Sequence, residues 1–428
     1  MRIVDALGFR VNVEPVDGAT VAFSSEGASN AGNLYRRLTQ CGVRIDHIGD
    51  KYYVAFDAFA QSHDPKIRAL VDSFSLYTRD EKTLVANLSA PVQQGLLKHP
   101  LMVALRNTKL SAEQIKNFCD VRYNAASEFL PLLKHTLAKA KGANKPKLAE
   151  ALEKNLRDET GYDRDTGEKL STPDAHSDWR KTFLDALGVT TTESNHFPLY
   201  QFKQDADLPT LVGLMLAAET VIPREDDRIL RSVCKAFPDK FIDYRDREAV
   251  AAFSARHDEE ALKQAIENSR YLVDHIEHDP KRHLYDLVKA IFAEFTPEER
   301  TAALISATEL YKERKGLYDH IAEEISLTKD VLLRGMKIPV TFGRKSFIIS
   351  DPSAQLRESF VKGGINIGDL PGKHKFTVSK DETPRPQQGK ALMEALKKAF
   401  PEIDIPSPAN PAPQTTAARY RTESPRGR

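Results

Sequence analysis

The chain has 428 residues, and its 62 Lys+Arg against 61 Asp+Glu leave a formal net charge of +1. That balance argues against a nucleic-acid binder driven by global charge, while leaving room for a local basic patch. Hydrophobic residues make up 41% and charged residues 29%, so most of the chain can bury a core, and the length favours two or three domains.

In chain order, residues 1–60 read as a small α+β unit. RVNVEP, ATVAFSS and YYVAFDAF alternate or run apolar with β-branched and aromatic residues, separated by turn-prone pieces. Between the second and third, Leu34, Leu38 and Cys41 recur at helical spacing and Gly42 closes the helix. The opening MRIVDALGFRVNVEP lacks the unbroken apolar stretch of a signal peptide.

Residues 64–329 read as helical nearly throughout, with seven or so amphipathic stretches forming an all-α bundle. Ser111 with Glu113 and Gln114 marks one helix start, and Thr296–Pro297–Glu298–Glu299 a stronger one: a cap, a first-turn proline and early acids. Residues 330–400 form a second small unit, with a hairpin around Gly343–Arg344, a strand in KHKFTVS and a helix in GKALMEALKKAF. The tail, 401–428, holds six of the 24 prolines and few large apolar residues, and is expected to be disordered. No stretch approaches the ~18 apolar residues of a membrane span. The three cysteines, Cys41, Cys119 and Cys234, are too few and scattered for a disulfide framework, which favours a reducing, cytoplasmic setting.

The densest chemistry lies in YLVDHIEHDPKRHL. On one continuous helix, His275, Asp279 and His283 are successive i,i+4 neighbours and share a face, half of a nitrogen/oxygen metal site suited to Fe(II), Mn or Zn. Asp279–Pro280 can equally cap a new helix, which would put His275 and His283 on different elements. Glu159 ends an amphipathic helix whose apolar face carries Leu148, Leu152 and Leu156, and His176 opens the next helix. Glu219, in LVGLMLAAETV, is either a buried acid that needs a partner or metal, or a helix-end acid facing solvent. Inward-facing carboxylates and histidines from neighbouring helices are how bundle proteins build di-iron or di-manganese sites.

The run HPLMVALRNTKLSAEQIKNFCDVRYNAASEFLPLL, then NLRDETG, AHSDWRKTFLDALG, AAET and HIEHDPKRH, over about residues 95–295, resembles the haem-oxygenase-like helical superfamily with its TenA and PqqC-like members. More narrowly it resembles the haem-oxygenase-like di-iron oxidases and oxygenases. The resemblance implies a haem-oxygenase-like bundle and does not explain the flanks, so the expected fold is mainly α, that bundle flanked by the two small α+β units and the disordered tail. It implies two Fe(II) per chain, with Mn as a substitute, held by Glu159, His176, Glu219, His275, Asp279 and His283. O2 would be the co-substrate, and an amino acid or fatty acid would undergo N-oxygenation, desaturation or oxidative C–C cleavage.

Departures from the family are the sixteen residues between Glu159 and His176, a final histidine four residues after Asp279 rather than three, Pro280 beside a ligand, and a long segment between Glu219 and His275 that reads as an extra helix or a lid. Tyr123, Tyr162 and Tyr271 are packing or redox candidates, and Arg157, Arg164 and Arg282 are candidate partners for a charged substrate. Expected partners are the small-molecule substrate and an external electron donor, with a homodimer compatible and neither nucleic acid nor membrane involved. Two rival functions stand beside this one: a metal-free TenA/PqqC-like enzyme, whose thiaminase form would need Cys119 or Cys234 as nucleophile, and a non-catalytic helical protein that docks through its flanks.

Overall fold

In the structure, a computed structural model, the described N-terminal residues are 2–6, 9–15, 20–24, 45–48, 51–55 and four positions between 33 and 39. From 81 to 405 all are described except 126–127, 163–165, 169–175, 191–196, 201–204, 351–353, 371–374 and 404. Of the expected disordered tail, 401–428, residues 401–403 and 405 are described, with Ile403 and Ile405 buried in the core, and the rest lies outside the described residues, as do Leu34, Leu38 and Cys41. The described chain is mainly helical, with an antiparallel sheet near each end.

The helices before the C-terminal sheet are α1 (Glu81–Gln94), α2 (Pro100–Arg106), α3 (Ala112–Ala125), α4 (Phe129–Gly142), α5 (Pro146–Thr160), α6 (His176–Leu187), α7 (Leu208–Ala236), α8 (Arg247–Ser254), α9 (Glu259–Glu277), α10 (His283–Glu294) and α11 (Pro297–Glu324). Their ends follow local chemistry. At the start of α3 the Ser111 hydroxyl accepts from the Gln114 amide while the Gln114 side chain accepts from the Ser111 amide. Thr296 and Glu299 form the same reciprocal box at the start of α11. Gly161, at φ 79°, closes α5 in the left-handed conformation that glycine adopts without strain.

The 29-residue α7 runs through the middle of the bundle, packed against α11, α9, α2 and α4. Its contact with α11 is backbone-close at Gly213, where an added Cβ would lie 2.2 Å from the Ala303 carbonyl oxygen. Pro223 has no N–H to give the carbonyl four residues back, so α7 lacks a helical bond at Glu219. The segment between Glu219 and His275 contains α8, whose Phe253 packs with Ile242 and Ala265 in a small separate core.

The flanking units are fuller than the sequence suggests. At the N-terminus, β1 (Arg2–Ala6), β2 (Phe9–Pro15), β3 (Thr20–Ser24), β4 (Asp46–Ile48) and β5 (Lys51–Ala55) form a sheet of order β1-β2-β3-β5-β4. At the C-terminus, β6 (Thr328–Leu333), β7 (Met336–Phe342), β8 (Ser346–Ser350), β9 (Ile367–Asp369) and β10 (Lys375–Ser379) form one of order β6-β7-β8-β10-β9. The order is the same in both. So is the first hairpin, where Ala6 pairs with Phe9 and Leu333 with Met336 across two-residue loops. In the second loop Arg334 and Gly335 both have positive φ, the twist-matched turn of two-residue hairpins. The expected hairpin at Gly343–Arg344 joins β7 to β8, and KHKFTVS contributes β10. Helix α12 (Ala354–Lys362) lies between β8 and β9, and α13 (Gln387–Ala399) follows the sheet. β6 begins at Thr328, where the sequence reading still had bundle.

Candidate metal centre

The continuous-helix reading of His275 to His283 is corrected by the structure. Helix α9 ends at Glu277 and α10 begins at His283, with residues 278–282 forming a tight turn. The cause is Pro280, which cannot donate a helical hydrogen bond. Yet the three side chains still meet, because the turn returns the chain on itself: Asp279 Oδ2 is 3.8 Å from His275 Nε2, and Asp279 Oδ1 is 3.5 Å from His283 Nδ1. Asp279 thus turns one carboxylate oxygen toward each histidine.

Glu159 lies in the last turn of α5 and His176 is the first residue of α6. The His176 Nδ1 is 3.1 Å from Glu159 Oε1, so the sixteen-residue gap brings the two together. Glu219 sits within α7 and is buried, so it is an interior acid and not a helix-end one. Its Oε1 accepts from the Asn155 amide at 2.7 Å, and its Oε2 lies 3.4 Å from His283 Nδ1.

All six expected residues are therefore gathered at one place, from α5, α6, α7, α9, the turn after it, and α10. Glu159, His176 and His275 can each offer a donor atom within 4.8 Å of the others, and so can Glu219, Asp279 and His283. A third such group, His176, Asp274 and Asp279, overlaps both. The rings of His176 and His275 are 4.9 Å apart between centroids.

Four acids and amides that sequence reading passed over complete the arrangement. His275 Nδ1 lies 2.7 Å from Asp226 Oδ2, His283 Nε2 lies 2.7 Å from Asp158 Oδ2, and His176 Nε2 lies 3.0 Å from Asp274 Oδ2. Asn155 supports Glu219. Asp158 and Asp274 each precede a site residue in sequence, and Asp226 is seven residues after Glu219, hence on the same helical face. Those offsets were the available signals.

Behind Asp226 lies a second buried charge cluster. Arg122 Nε is 3.0 Å and Arg314 Nε 2.8 Å from the two oxygens of Glu225, and the Tyr318 hydroxyl also donates to Glu225. Arg122 Nη2 is 3.8 Å from Asp226 Oδ1, onto which the Tyr123 hydroxyl donates at 3.4 Å. Arg122, Arg314, Glu225 and Asp226 are all buried.

The electrostatics show a centre short of positive charge. Burial raises the Glu159 carboxyl, but His176, His275 and His283 outweigh it and hold it at about 2. Burial likewise lowers the three imidazoles, yet the surrounding carboxylates leave all three above their ordinary value: Glu159 and Asp274 for His176, Asp279 and Asp226 for His275, Glu219 and Asp279 for His283. Asp279 is pushed up to about 6, by burial first and Glu219 beside it, against the pull of His275 and His283. Six acids, Asp158, Glu159, Glu219, Asp226, Asp274 and Asp279, gather around His176, His275 and His283, with His278 at the outer oxygen of Asp274 and Arg122, shared with Glu225, near Asp226. Asp279 Oδ1 is moreover buried with no hydrogen-bond donor. A buried carboxylate oxygen without a donor, in a mixed imidazole/carboxylate set, is a fit for cations.

Other candidates are placed less favourably. Cys119 is fully buried and its thiol is pushed up by that burial; Cys234 is pushed up to about 12, also by burial. Tyr123 and Tyr271 are buried beside the site, ring to ring at 5.6 Å, whereas Tyr162 is exposed. Arg282 is exposed, Arg157 is half-buried, and Arg164 lies outside the described residues.

The described chain is thus a mainly helical protein whose central bundle encloses a histidine/carboxylate cluster with groups that could hold a metal ion. Among solved structures it is similar to two crystal structures of a CadD-like protein of unknown function from Nostoc punctiforme. Each is 16% identical, covering 59% of this chain and 98% or 96% of the other, with TM-scores of 0.39 and 0.35. At that similarity neither fold family nor function transfers. No protein-family model matches the chain, and no curated protein matches it. Among the described residues no helix is long and apolar enough to cross a membrane.

Proposed function

We propose that this chain is an O2-activating, non-haem di-iron oxidase or oxygenase of the haem-oxygenase-like type, acting on a small molecule such as an amino acid or fatty acid. The observation that carries the reading is Asp279, which directs one oxygen to the His275 side and the other, buried and without a donor, to the His283 side. Glu159, His176 and His275 would hold one iron, Glu219 and His283 the other, with Asp279 between them. Mn is an alternative occupant of the same ligand types.

Fe(II) in such a set supplies open coordination positions and reducing electrons for O2. The rest is done by the chain. Carboxylates and imidazoles from five helices and a turn would hold the cations, and burial excludes bulk water from the centre. The buried rings of Tyr271 and Tyr123 wall one side.

The metal-free alternative receives no support from cysteine: a nucleophile must ionise and be reached, and burial works against both at Cys119. The test is O2 consumption by anaerobically iron-loaded protein, mixed with a panel of amino and fatty acids. Uptake that needs both iron and one substrate class supports the proposal. Iron-loaded protein that consumes no O2 with any of them counts against it.

A further inference from the structure

We propose that Asp158, Asp226 and Asp274 are positioning residues of this centre, each fixing the tautomer and ring angle of one histidine from a different helix. The inference rests on the two-cation reading above and adds to its six ligands an outer layer of three acids. A carboxylate can only accept, so the ring nitrogen facing it carries the proton and the opposite nitrogen is left to face the cations. For His275 the proton goes to Nδ1, toward Asp226, and Nε2 faces Asp279. For His283 it goes to Nε2, toward Asp158, and Nδ1 faces Glu219 and Asp279. His176 meets a carboxylate at each nitrogen, Nε2 at Asp274 and Nδ1 at Glu159; with Glu159 and Nδ1 both given to a cation, the proton falls to Nε2, toward Asp274.

The bracing is mutual among helices. Asp158 of α5 holds His283 of α10, Asp226 of α7 holds His275 of α9, and Asp274 of α9 holds His176 of α6. Each helix that supplies one of these acids also supplies a ligand of its own: Glu159 from α5, Glu219 from α7 and His275 from α9. No histidine is aimed by its own helix alone, so the centre keeps its geometry only while the bundle stays packed. Asp226 is the most deeply set of the three acids, with its second oxygen against Tyr123 and Arg122.

The experiment is anaerobic titration of the metal-free full chain with Co(II), read by calorimetry and by the visible absorption bands of the bound ion. Wild type should take two equivalents. Asp226→Asn should weaken one of the two by roughly 10–100-fold, as lost outer partners do, and shift its bands. Asp158→Asn should do the same at the other equivalent, and the double variant should weaken both. Asp226→Ala and Asp158→Ala should lose more than the asparagines, which keep an accepting oxygen. If either asparagine variant binds both equivalents with wild-type affinity and bands, the positioning role is overturned. So it is if both equivalents weaken together in step with thermal stability, because that is general loosening of the bundle. If wild type takes up no Co(II), the two-cation reading fails first, an outcome separable from the others.

Discussion

His275 Nδ1 and Asp226 Oδ2 stand 2.7 Å apart in the interior of the bundle, forty-nine residues apart in sequence, and both side chains are nearly inaccessible to solvent. Asp226 in turn neighbours Arg122, so a line of buried polar groups runs from a candidate ligand to the charge cluster around Glu225. The consequences can be measured.

Removing two partners of that cluster together should cost less than the two removals added. Arg122→Met leaves Glu225 and Asp226 with less countercharge in a dry site, and should cost about 3–5 kcal/mol. Arg122→Met with Glu225→Gln should cost clearly less than the sum of the single variants, because the uncompensated charge goes with its partner. Urea unfolding of the three proteins gives the comparison.

Metal-free protein should be most stable in mildly acidic solution. Glu159 is held at about 2 against an ordinary 4.5, so its contribution is present above 4.5 and is lost as pH falls toward 2. The three histidines are raised above 6.5, so their contributions are complete below 6.5 and are lost as pH rises through the folded values. Asp279, raised from 3.8 to about 6, favours the fold only while protonated and adds to the loss between those values. Cations take the place of these protons, so metal loading should move the optimum of the thermal midpoint upward in pH. An identical pH profile with and without metal would contradict this.

Gly213→Ala should destabilise the protein by roughly 1–3 kcal/mol, since the new methyl meets the Ala303 carbonyl and Ser306 and α7 must shift against α11. Glu219 lies on α7, so metal affinity should fall as well. Chemical denaturation and metal titration of the same variant report the two effects.

Cys119→Ala should leave iron uptake and any iron-dependent O2 consumption close to wild type, because the thiol is a buried packing group facing no ligand. Loss of activity with iron content intact would favour a cysteine nucleophile instead.

Much of this arrangement was legible where chemistry is local. Thr296–Pro297–Glu298–Glu299 announced the start of α11, and Gly343–Arg344 the turn between β7 and β8. The six site residues could be named because the order of motifs resembled a known pattern. Their placement on elements was left open between one continuous helix and a break at Asp279–Pro280; the chain takes the break, and the turn still preserves the meeting of His275, Asp279 and His283. Asp226 and Arg122 stayed hidden for a different reason: their partners are about fifty and a hundred residues distant, and no local rule reports such pairings. The shared strand order of the two flanking sheets was invisible too, because β4 and β9 are three-residue strands with almost no alternation to read.

The most direct measurement is the iron content of the chain after anaerobic loading with Fe(II) and removal of free metal. The account predicts two irons per chain, falling to one or fewer in Glu159→Ala and in His283→Ala. No retained iron under any loading condition, or two retained irons in both variants, would contradict it.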